Sequence, residues 1–363
     1  MSNSNIKLAY ATDSKPPRPG PEHEIVAHWK EDATTPVVSI ICTTFQHAPY
    51  INDALNGFLM QETDFPFEIV VHDDASTDGT AEIISKYAEK YRNIVRPVLQ
   101  KQNQFSQGKH PSYLTFNRSL GKYLAFCEGD DYWIDPQKLS KQCKLMDHHQ
   151  TVNICIHPGL QFSEHSKTAS KIGYHGDTAE VKSLAEMLVQ PGQFCPTASI
   201  VVRKAAALNM PEWYFSSSDL PYGDFFIEAI LGVDGMLYMP DVMSLYRCGL
   251  PGSHTDRTAK RNQSELVRDY DATIRSISRL FEIPRMPTDA LETRLSIIKM
   301  NYAFRFMALS DYDGFRYVLE SWPTMNVTLK ARILKASAKS RPSFNILKAC
   351  LDYKRAVTSR SVN

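Results

Sequence analysis

Short apolar runs and longer amphipathic segments alternate along the first half of the chain. Apolar residues at helical spacing follow Pro49, Asp78 and Pro136. The short runs are rich in β-branched residues, as buried strands are. They cover residues 37–43, 67–73, 93–100 and 122–129. Strands that alternate with helices at this spacing predict an α/β fold whose central sheet is mostly parallel and is covered by helices.

The same pattern divides the chain into three parts. Residues 1–35 are rich in Pro, Ser, Lys and Glu, show no sustained periodicity, and predict a flexible N-terminal arm. Residues 36–255 predict the α/β domain, with a regular first half over 36–150 and a looser second half over 151–255. Helical periodicity then predicts a helical C-terminal extension over 256–363.

Composition and charge narrow the class of protein. The chain has 363 residues, of which 43% are hydrophobic and 22% charged, and its formal net charge is +1. A charge this small gives no global field for nucleic acid, so we expect no nucleic-acid partner. No apolar stretch reaches the roughly 18–20 residues that span a bilayer, and the N-terminus lacks the apolar centre of a secretory signal. We therefore expect a cytoplasmic protein.

Polar residues directly follow three of the predicted strands. They are Thr43–Thr44, Asp73–Asp74 and Glu128–Asp131. In parallel sheets covered by helices, ligands bind outside the carboxyl ends of the strands. We therefore expect the three clusters to meet at one edge of the sheet and to form one site.

Three carboxylates are crowded into the sequence EGDDYW at residues 128–133. Carboxylates this close repel one another unless a cation neutralises them. Oxygen ligands suit Mg²⁺ or Mn²⁺, which often bridge carboxylates to substrate phosphates. The segment therefore predicts a divalent metal site. The alternative is a solvated acidic turn in which Asp135 caps the helix that Pro136 opens.

A second acidic segment, HDDASTDGT at residues 72–80, ends the second predicted strand. A carboxylate here can accept hydrogen bonds from a nucleobase or a ribose. Gly79 permits a tight turn into the next helix. The alternative is structural: Asp78 caps that helix, and the acidic pair before it binds nothing.

Three segments in register resemble the successive motifs of family 2 glycosyltransferases of the bacterial type. They span roughly residues 37–150 and read VSIICTTFQHAPYINDALNGFLMQ, EIVVHDDASTDGT and GKYLAFCEGDDYWIDPQKL. Three motifs in the family's order are far more specific than any one of them. The resemblance implies the GT-A fold, a nucleotide-sugar donor, and Mn²⁺ or Mg²⁺ as cofactor.

The resemblance also implies roles for individual residues. Thr43 and Asp74 would contact the nucleotide base, Asp130 the ribose or diphosphate, and Asp131 the metal. Glu128 stands at the first acidic position of the family's Asp-x-Asp, and its role stays open. The nucleotide-binding residues expected on this basis are Thr43, Thr44, Phe45, Asp74, Lys109 and Asp130.

Two of the implied positions have alternatives. The segment 102–119 corresponds to the family's donor-side loop, where Lys109, Asn117 or Arg118 would meet the diphosphate, and the sequence does not choose among them. His254 is a candidate metal ligand, although it stands later in the chain than the family's usual histidine. The alternative for His254 is a solvated loop residue.

The segment PYGDFFIEAILGVDGMLYMPDVMSLYR at 221–247 is similar to the acceptor side of these enzymes. In the family, a carboxylate at the start of a helix acts there as the general base, and the matching residue is Asp224. Transfer with inversion needs one base to take the proton from the acceptor hydroxyl. The alternative for Asp224 is an N-cap residue with no catalytic part.

The C-terminal end is basic, with nine Lys or Arg residues and one acid between residues 326 and 363. One hypothesis is a peripheral contact with an anionic membrane. The hypothesis that we favour is a solvated or packed helical face. A contact between copies of the chain through these helices is a further hypothesis.

Together, these patterns predict an inverting glycosyltransferase that uses a nucleoside-diphosphate sugar, with UDP-sugar favoured. Its acceptor would be a hydroxyl of a glycan or of a lipid-linked acceptor, in surface polysaccharide or glycan biosynthesis. The alternative is a non-catalytic glycan- or nucleotide-binding protein that keeps the fold. An NAD-dependent oxidoreductase is excluded, because the sequence TTFQHAP after the first strand lacks the G-x-G-x-x-G pattern.

Overall fold

Two units divide the chain between Asp256 and Arg257, and each has its own hydrophobic core. The computed structural model describes residues 15–30, 35–109, 111–163, 165–217, 220–221, 223–322 and 329–360.

The strands all lie in the first unit. They are β1 (Val38–Thr44), β2 (Phe67–Asp73), β3 (Val95–Leu99), β4 (Tyr123–Phe126), β5 (Tyr132–Trp133), β6 (Ile154–Ile156), β7 (Gly159–Ser163), β8 (Thr168–Ile172), β9 (Glu180–Lys182), β10 (Val201–Arg203), β11 (Met236–Tyr238) and β12 (Ser244–Cys248). Within the described residues, eight of them form one sheet in the order β3-β2-β1-β4-β10-β6-β11-β9. Four of its seven pairings are parallel, so the predicted α/β fold with a mostly parallel sheet is confirmed.

Helices connect the strands of this unit. They are α1 (Glu22–Val26), α2 (Ile51–Leu59), α3 (Thr80–Lys90), α4 (Pro111–Phe116), α5 (Lys138–His148), α6 (Leu184–Val189), α7 (Lys204–Leu208), α8 (Glu212–Ser216), α9 (Gly223–Leu231) and α10 (His254–Ala259). The last of them crosses the boundary between the units.

The register of the central strands brings their carboxyl ends level. β1 pairs with β2 in parallel, so that Thr44 lies opposite Asp73. β4 pairs with the other side of β1, with Phe126 opposite Ile41, and the chain then continues into Glu128. Every position of β2 is buried and almost every position of β1 is, as continuous apolar runs predict for central strands of a covered sheet.

A second sheet of four strands, in the order β5-β12-β7-β8, lies beside the first within the described residues. The sequence pattern did not predict it, because β5 has only two residues and β7 and β8 mix polar with apolar positions. In this sheet β12 runs antiparallel to β5, with Leu245 opposite Tyr132. That pairing carries Arg247 to the acidic segment that precedes β5.

The N-terminal arm predicted at 1–35 is described for residues 15–30 and for Thr35, and the described part packs against the sheet. Trp29 makes an edge contact with Phe67, with ring centroids 5.7 Å apart. The Tyr91 hydroxyl donates to the carbonyl of Gly20 at 2.9 Å, and the amide of Asn93 donates to Glu22 at 2.7 Å. The described part of the predicted arm thus contributes apolar side chains to the core.

The second unit is helical, as predicted. Its helices are α11 (Gln263–Ser278), α12 (Thr288–Ala308), α13 (Tyr312–Glu320), α14 (Leu329–Ser337) and α15 (Arg341–Arg360). Asn262 and Glu265 form a reciprocal capping box at the start of α11. The basic end forms α14 and α15, in which Leu334 and Phe344 are buried in the core of the unit. Among the described residues, no helix combines the length and apolarity needed to cross a membrane.

Candidate donor and acceptor site

Backbone hydrogen bonds bring the three polar clusters together at one edge of the sheet. The amide of Asp74 donates to the carbonyl of Thr44 at 3.0 Å, and the amide of Gly129 donates to the carbonyl of Thr43 at 3.0 Å. The ends of β1 and β2 and the segment after β4 therefore line a common edge. A parallel sheet produces this arrangement because all its strands end on the same side.

The loops after β1 and β2 are tied to each other. The amide of His47 donates to the Thr80 hydroxyl at 3.0 Å, and the amide of Ala48 donates to Asp78 at 3.0 Å. Asp78 also accepts the amide of Thr80 at 3.1 Å, but the N-cap residue of α3 is Gly79 and not Asp78, which the structural alternative had proposed. Gly79, with φ of 100°, makes the left-handed turn that starts this helix.

The carboxylates of Glu128, Asp130 and Asp131 form a cluster whose ligand atoms lie within 4.8 Å of one another. Asp131 is 2% exposed. Burial raises the pKa of Asp131 well above its usual value, and the neighbouring charges of Asp130 and Glu128 raise it further. Burial and, to a smaller extent, the charges of Asp130 and Asp224 raise the pKa of Glu128. The residue has exposed surface, where water screens part of this repulsion.

One oxygen of this cluster, Oδ1 of Asp130, is buried and has no hydrogen-bond partner among the described residues. Its other oxygen lies 3.7 Å from Nε2 of His47. Gly129 is needed here, because a Cβ at this position would lie 2.9 Å from Cβ of Thr44. A divalent cation fits this set of residues. It would bind the hard carboxylate oxygens, including the unpaired Oδ1 of Asp130, and would neutralise the repulsion between the carboxylates.

Arg247 contacts the acidic cluster through both its backbone and its side chain. Its backbone amide donates to Oδ1 of Asp131 at 2.9 Å, and its guanidinium donates to the carbonyl of Asp130. The guanidinium also pairs with Asp53 and lies 4.6 Å from the ring centroid of Tyr132. Sequence reasoning missed Arg247, and the available signal was a lone charge inside an apolar strand.

Asp74 organises the loop that follows β3. Its two carboxylate oxygens accept the amides of Gln104 at 2.7 Å and Phe105 at 3.1 Å. Lys109, at the far end of this loop, is exposed, and its Nζ lies 3.3 Å from Oε1 of Gln104. The structure thus places Lys109 on a loop that is anchored at Asp74.

Two exposed aromatic residues lie close to Asp74: Phe45 follows Thr44, whose carbonyl binds the amide of Asp74, and the amide of Phe105 binds its carboxylate. Phe45, directly after β1, is 37% exposed, and Phe105, whose amide Asp74 binds, is 59% exposed. Exposed aromatic rings beside a polar anchor are suited to stacking on a planar ligand. Phe45 was among the expected residues, whereas Phe105 was not, because nothing in the local sequence distinguishes it from a surface residue.

Asp224 lies in the first turn of α9 and faces the acidic cluster. Oδ2 of Asp224 accepts a hydrogen bond from the Thr197 hydroxyl at 2.9 Å, and Oδ1 accepts the amide of Phe225 at 2.9 Å. Its charge is close enough to Glu128 to contribute to the raised pKa of that residue. Thr197, which the sequence did not single out, fixes one oxygen of Asp224.

His254 is the expected residue that the structure leaves open. It is the first residue of α10, and its side chain lies outside what the structure describes. The other expected residues divide into two groups. Those on the shared edge or facing it are Thr43, Thr44, Phe45, Asp74, Asp130, Asp131 and Asp224, and Lys109 stands apart on the loop beyond Asp74.

Comparison with known proteins gives the same architecture. Residues 39–204 match the family model for glycosyl transferase family 2. An uncharacterized protein of Mycobacterium tuberculosis is 34% identical over 233 residues, which are 61% of this chain and 62% of that protein. The chain therefore spans less than two thirds of the length of this relative.

Two further relatives have descriptive names. The putative teichuronic acid biosynthesis glycosyltransferase TuaG of Bacillus subtilis is 32% identical over 121 residues, or 33% of this chain and 44% of TuaG. The crystal structure of S. aureus TarS 1-349 in complex with UDP-GlcNAc superposes with a TM-score of 0.53 at 18% identity, over 83% of this chain and 79% of that one. The likeness to TarS confirms the GT-A fold. The chain therefore resembles glycosyltransferase family 2 over residues 39–204, on a fold that it shares with TarS.

Proposed function

We propose that this protein transfers a sugar, with inversion, from a nucleoside-diphosphate sugar to an acceptor hydroxyl in surface polysaccharide or glycan biosynthesis. The observation that carries the proposal is the position of a cluster of three carboxylates and of a fourth carboxylate near it. The cluster of Glu128, Asp130 and Asp131 adjoins the nucleotide-side residues at the strand ends, and Asp224 faces the same cluster from α9. A sugar between them would have its leaving group on one side and a base on the other.

The metal would be held by Asp131 and Asp130, with Glu128 beside them. When bound, Mn²⁺ or Mg²⁺ supplies positive charge that offsets the charge on the diphosphate. Arg247 fixes the orientation of Asp131 through its amide and partly balances the negative charge of the cluster. His254 is kept as a candidate further ligand on the basis of the family resemblance alone.

The donor nucleotide would lie over the ends of β1 and β2. Phe45 would stack on the base, while Thr43, Thr44 and the free lone pairs of Asp74 would hydrogen-bond to the base or ribose. Lys109 would reach the diphosphate from the loop. UDP is the nucleotide that we favour, and the complex of TarS with UDP-GlcNAc, on the same fold, supports testing it first.

Asp224 would take the proton from the acceptor hydroxyl as that oxygen attacks the anomeric carbon. The Thr197 hydroxyl holds one carboxylate oxygen by its hydrogen bond, which leaves a defined direction for the acceptor. Holding base, acceptor and donor in one geometry is the main contribution that such a site makes to rate. The acceptor itself, glycan or lipid-linked, is part of the proposal.

Calorimetric titration of the full chain with UDP, GDP and dTDP, each with Mn²⁺ and with EDTA, tests the donor site. We expect one nucleotide to bind with metal and to lose most of its affinity in EDTA or in Asp131→Asn. This substitution keeps the shape of the side chain but removes its charge. Asp64→Asn, at a surface carboxylate paired with Lys30, is the matched control and should bind as the wild type does.

Binding of no nucleotide under either condition would contradict the donor site. Binding that is equally tight in EDTA and in Asp131→Asn would contradict the role of the acidic cluster. Once a nucleotide is identified, sugar transfer is measured with the corresponding nucleotide sugars and glycan acceptors. Glycan binding without transfer would favour the non-catalytic alternative.

A further inference from the structure

A cavity of about 660 Å³ lies between the N-terminal segment and the outer faces of α2 and α3. Its lining shares no residue with the acidic cluster or with the strand ends that form the proposed donor site. It belongs wholly to the first unit. Its volume is in the range of pockets that hold small molecules.

The wall formed by the N-terminal segment is fixed in place. Pro16 is buried against Gly57 of α2, where a Cβ would lie 3.5 Å from Cγ of Pro16 and 2.8 Å from the carbonyl oxygen of Trp133. Farther along the segment, the carbonyl of Gly20 accepts a hydrogen bond from Tyr91 at 2.9 Å. The cavity is thus a built feature of the fold.

Four cationic side chains line this cavity: Lys15, Arg18, Lys86 and Lys90. All four belong to exposed residues. Lys86 and Lys90 lie one turn apart on α3, where like charges repel each other. Among the described residues, neither Lys86 nor Lys90 forms an ion pair with a carboxylate, and Nζ of Lys90 lies 4.9 Å from the ring centroid of Tyr91. Neither charge is neutralised, so both can act on a ligand.

The single carboxylate among the described lining residues is already neutralised. Asp53 accepts from Lys15 at 3.0 Å and pairs with the buried guanidinium of Arg247 on its inner side. Neutral hydrogen-bonding groups complete the lining, among them Asn52 and Tyr87, whose hydroxyl is bound to Asn56 at 2.7 Å. The cavity therefore offers a concentrated positive field with little competing negative charge.

We propose that this cavity is a second binding site, specific for a small phosphorylated ligand and separate from the donor site. A ligand with one or two phosphate groups would bridge Lys86 and Lys90 on α3 and Arg18 on the opposite wall. Binding there would relieve the repulsion between the two lysines. This site would bind its ligand without a divalent metal.

Calorimetric titration of the full chain with inorganic pyrophosphate in EDTA tests the proposal. We expect the wild type to bind pyrophosphate. The double variant Lys86→Ala/Lys90→Ala should bind it at least about tenfold more weakly, because two charge-assisted contacts are lost. The matched control is Lys144→Ala/Lys171→Ala, which removes two exposed lysines of the same unit outside the cavity. It should keep the affinity of the wild type.

The donor-site variant Asp131→Asn separates the two sites. It should keep metal-free pyrophosphate binding, while Lys86→Ala/Lys90→Ala should keep metal-dependent nucleotide binding. The proposal is overturned if the wild type does not bind pyrophosphate, or if the control and the cavity variants weaken binding equally. It is also overturned if the cavity variant binds as tightly as the wild type. Because this site needs no metal, its failure is distinct from a failure of the donor site.

Discussion

A group of buried polar atoms at the edge of the sheet and a buried network in the helical unit differ in their hydrogen bonding. At the edge, Oδ1 of Asp130 and Nδ1 of His47 are buried without a partner among the described residues. In the helical unit, the Tyr302 hydroxyl donates to Asp269 at 2.7 Å, and Nζ of Lys299 donates to the carbonyl of Ser321 at 2.7 Å. The paired groups of the helical unit contribute to folding, whereas the unpaired atoms at the edge of the sheet can bind a ligand.

The charges around Asp269 and Asp131 differ in the same way. Asp269 is surrounded by Tyr302 and by the guanidinium groups of Arg261 and Arg305. Asp131 has two carboxylates beside it, and its pKa is raised. A protein that folds around such repulsion gives up stability for a site that a cation completes.

The largest effect is expected at Asp224. Asp224→Asn keeps the size of the side chain but cannot accept the acceptor's proton, so transfer should fall by about 10²–10⁴-fold. Metal-dependent nucleotide binding should stay as in the wild type. Turnover of the accepted nucleotide sugar, measured beside calorimetric binding, checks both outcomes. Undiminished transfer by this variant would show that another group is the base.

Binding of metal and nucleotide at the edge of the sheet should stabilise the first unit. Mn²⁺ with the preferred nucleotide at about a hundred times its dissociation constant should raise the free energy of unfolding by about 2.7 kcal/mol. Scanning calorimetry with and without EDTA measures the change. Asp131→Asn should show no such rise. A rise of the same size in this variant would mean that the ligands bind elsewhere.

Removing Asp269 from the network in the helical unit should lower stability and leave the donor site unaffected. Asp269→Ala removes the carboxylate that the Tyr302 hydroxyl and two guanidinium groups share, so we expect a loss of about 1–3 kcal/mol. Asp271→Ala removes a carboxylate that binds the exposed Tyr317 hydroxyl and should cost about 0.5 kcal/mol or less. Urea unfolding measures both. Equal losses would mean that burial of the network contributes nothing.

Lys138 is a buried, hydrogen-bonded lysine of the first unit, and we expect it to make the free energy of unfolding depend on pH. Nζ of Lys138 donates to Gln142 at 2.7 Å, and burial lowers the pKa of this lysine from 10.5 to about 7. Between these values the unfolded chain keeps a proton that the folded chain has released, so this group makes the free energy of unfolding rise with pH. The slope is at most about 1.4 kcal/mol per pH unit.

Urea unfolding of the wild type and of Lys138→Met at several pH values above 7 isolates this contribution. Burial raises the pKa of the thiols of Cys127 and Cys143, which makes stability fall with rising pH in both proteins. The difference between the two proteins therefore reports Lys138. The variant should show a less positive slope, and identical slopes would contradict the lowered pKa.

Much of the α/β unit follows from local pattern. The bounds of β2 agree with the apolar run at 67–73, and β1 differs from its predicted run by one residue at each end. These strands were predictable because each contains a run of consecutive buried apolar residues, at 40–42 in β1 and at 69–71 in β2. The second sheet was not, because β5 has two residues and β7 and β8 mix polar with apolar positions. The packing of residues 15–30 was missed because a few apolar side chains outweighed a polar composition.

By itself, the sequence determined the order of the central elements and the edge at which Thr44, Asp74 and Asp131 meet, because strand ends follow from the hydrophobic pattern. The tertiary structure alone decided which of their atoms are paired. Arg247 reaches Asp131 from 116 residues away, and Thr197 reaches Asp224 from another element. A local pattern specifies burial and secondary structure, whereas a hydrogen bond between distant segments depends on how the elements pack.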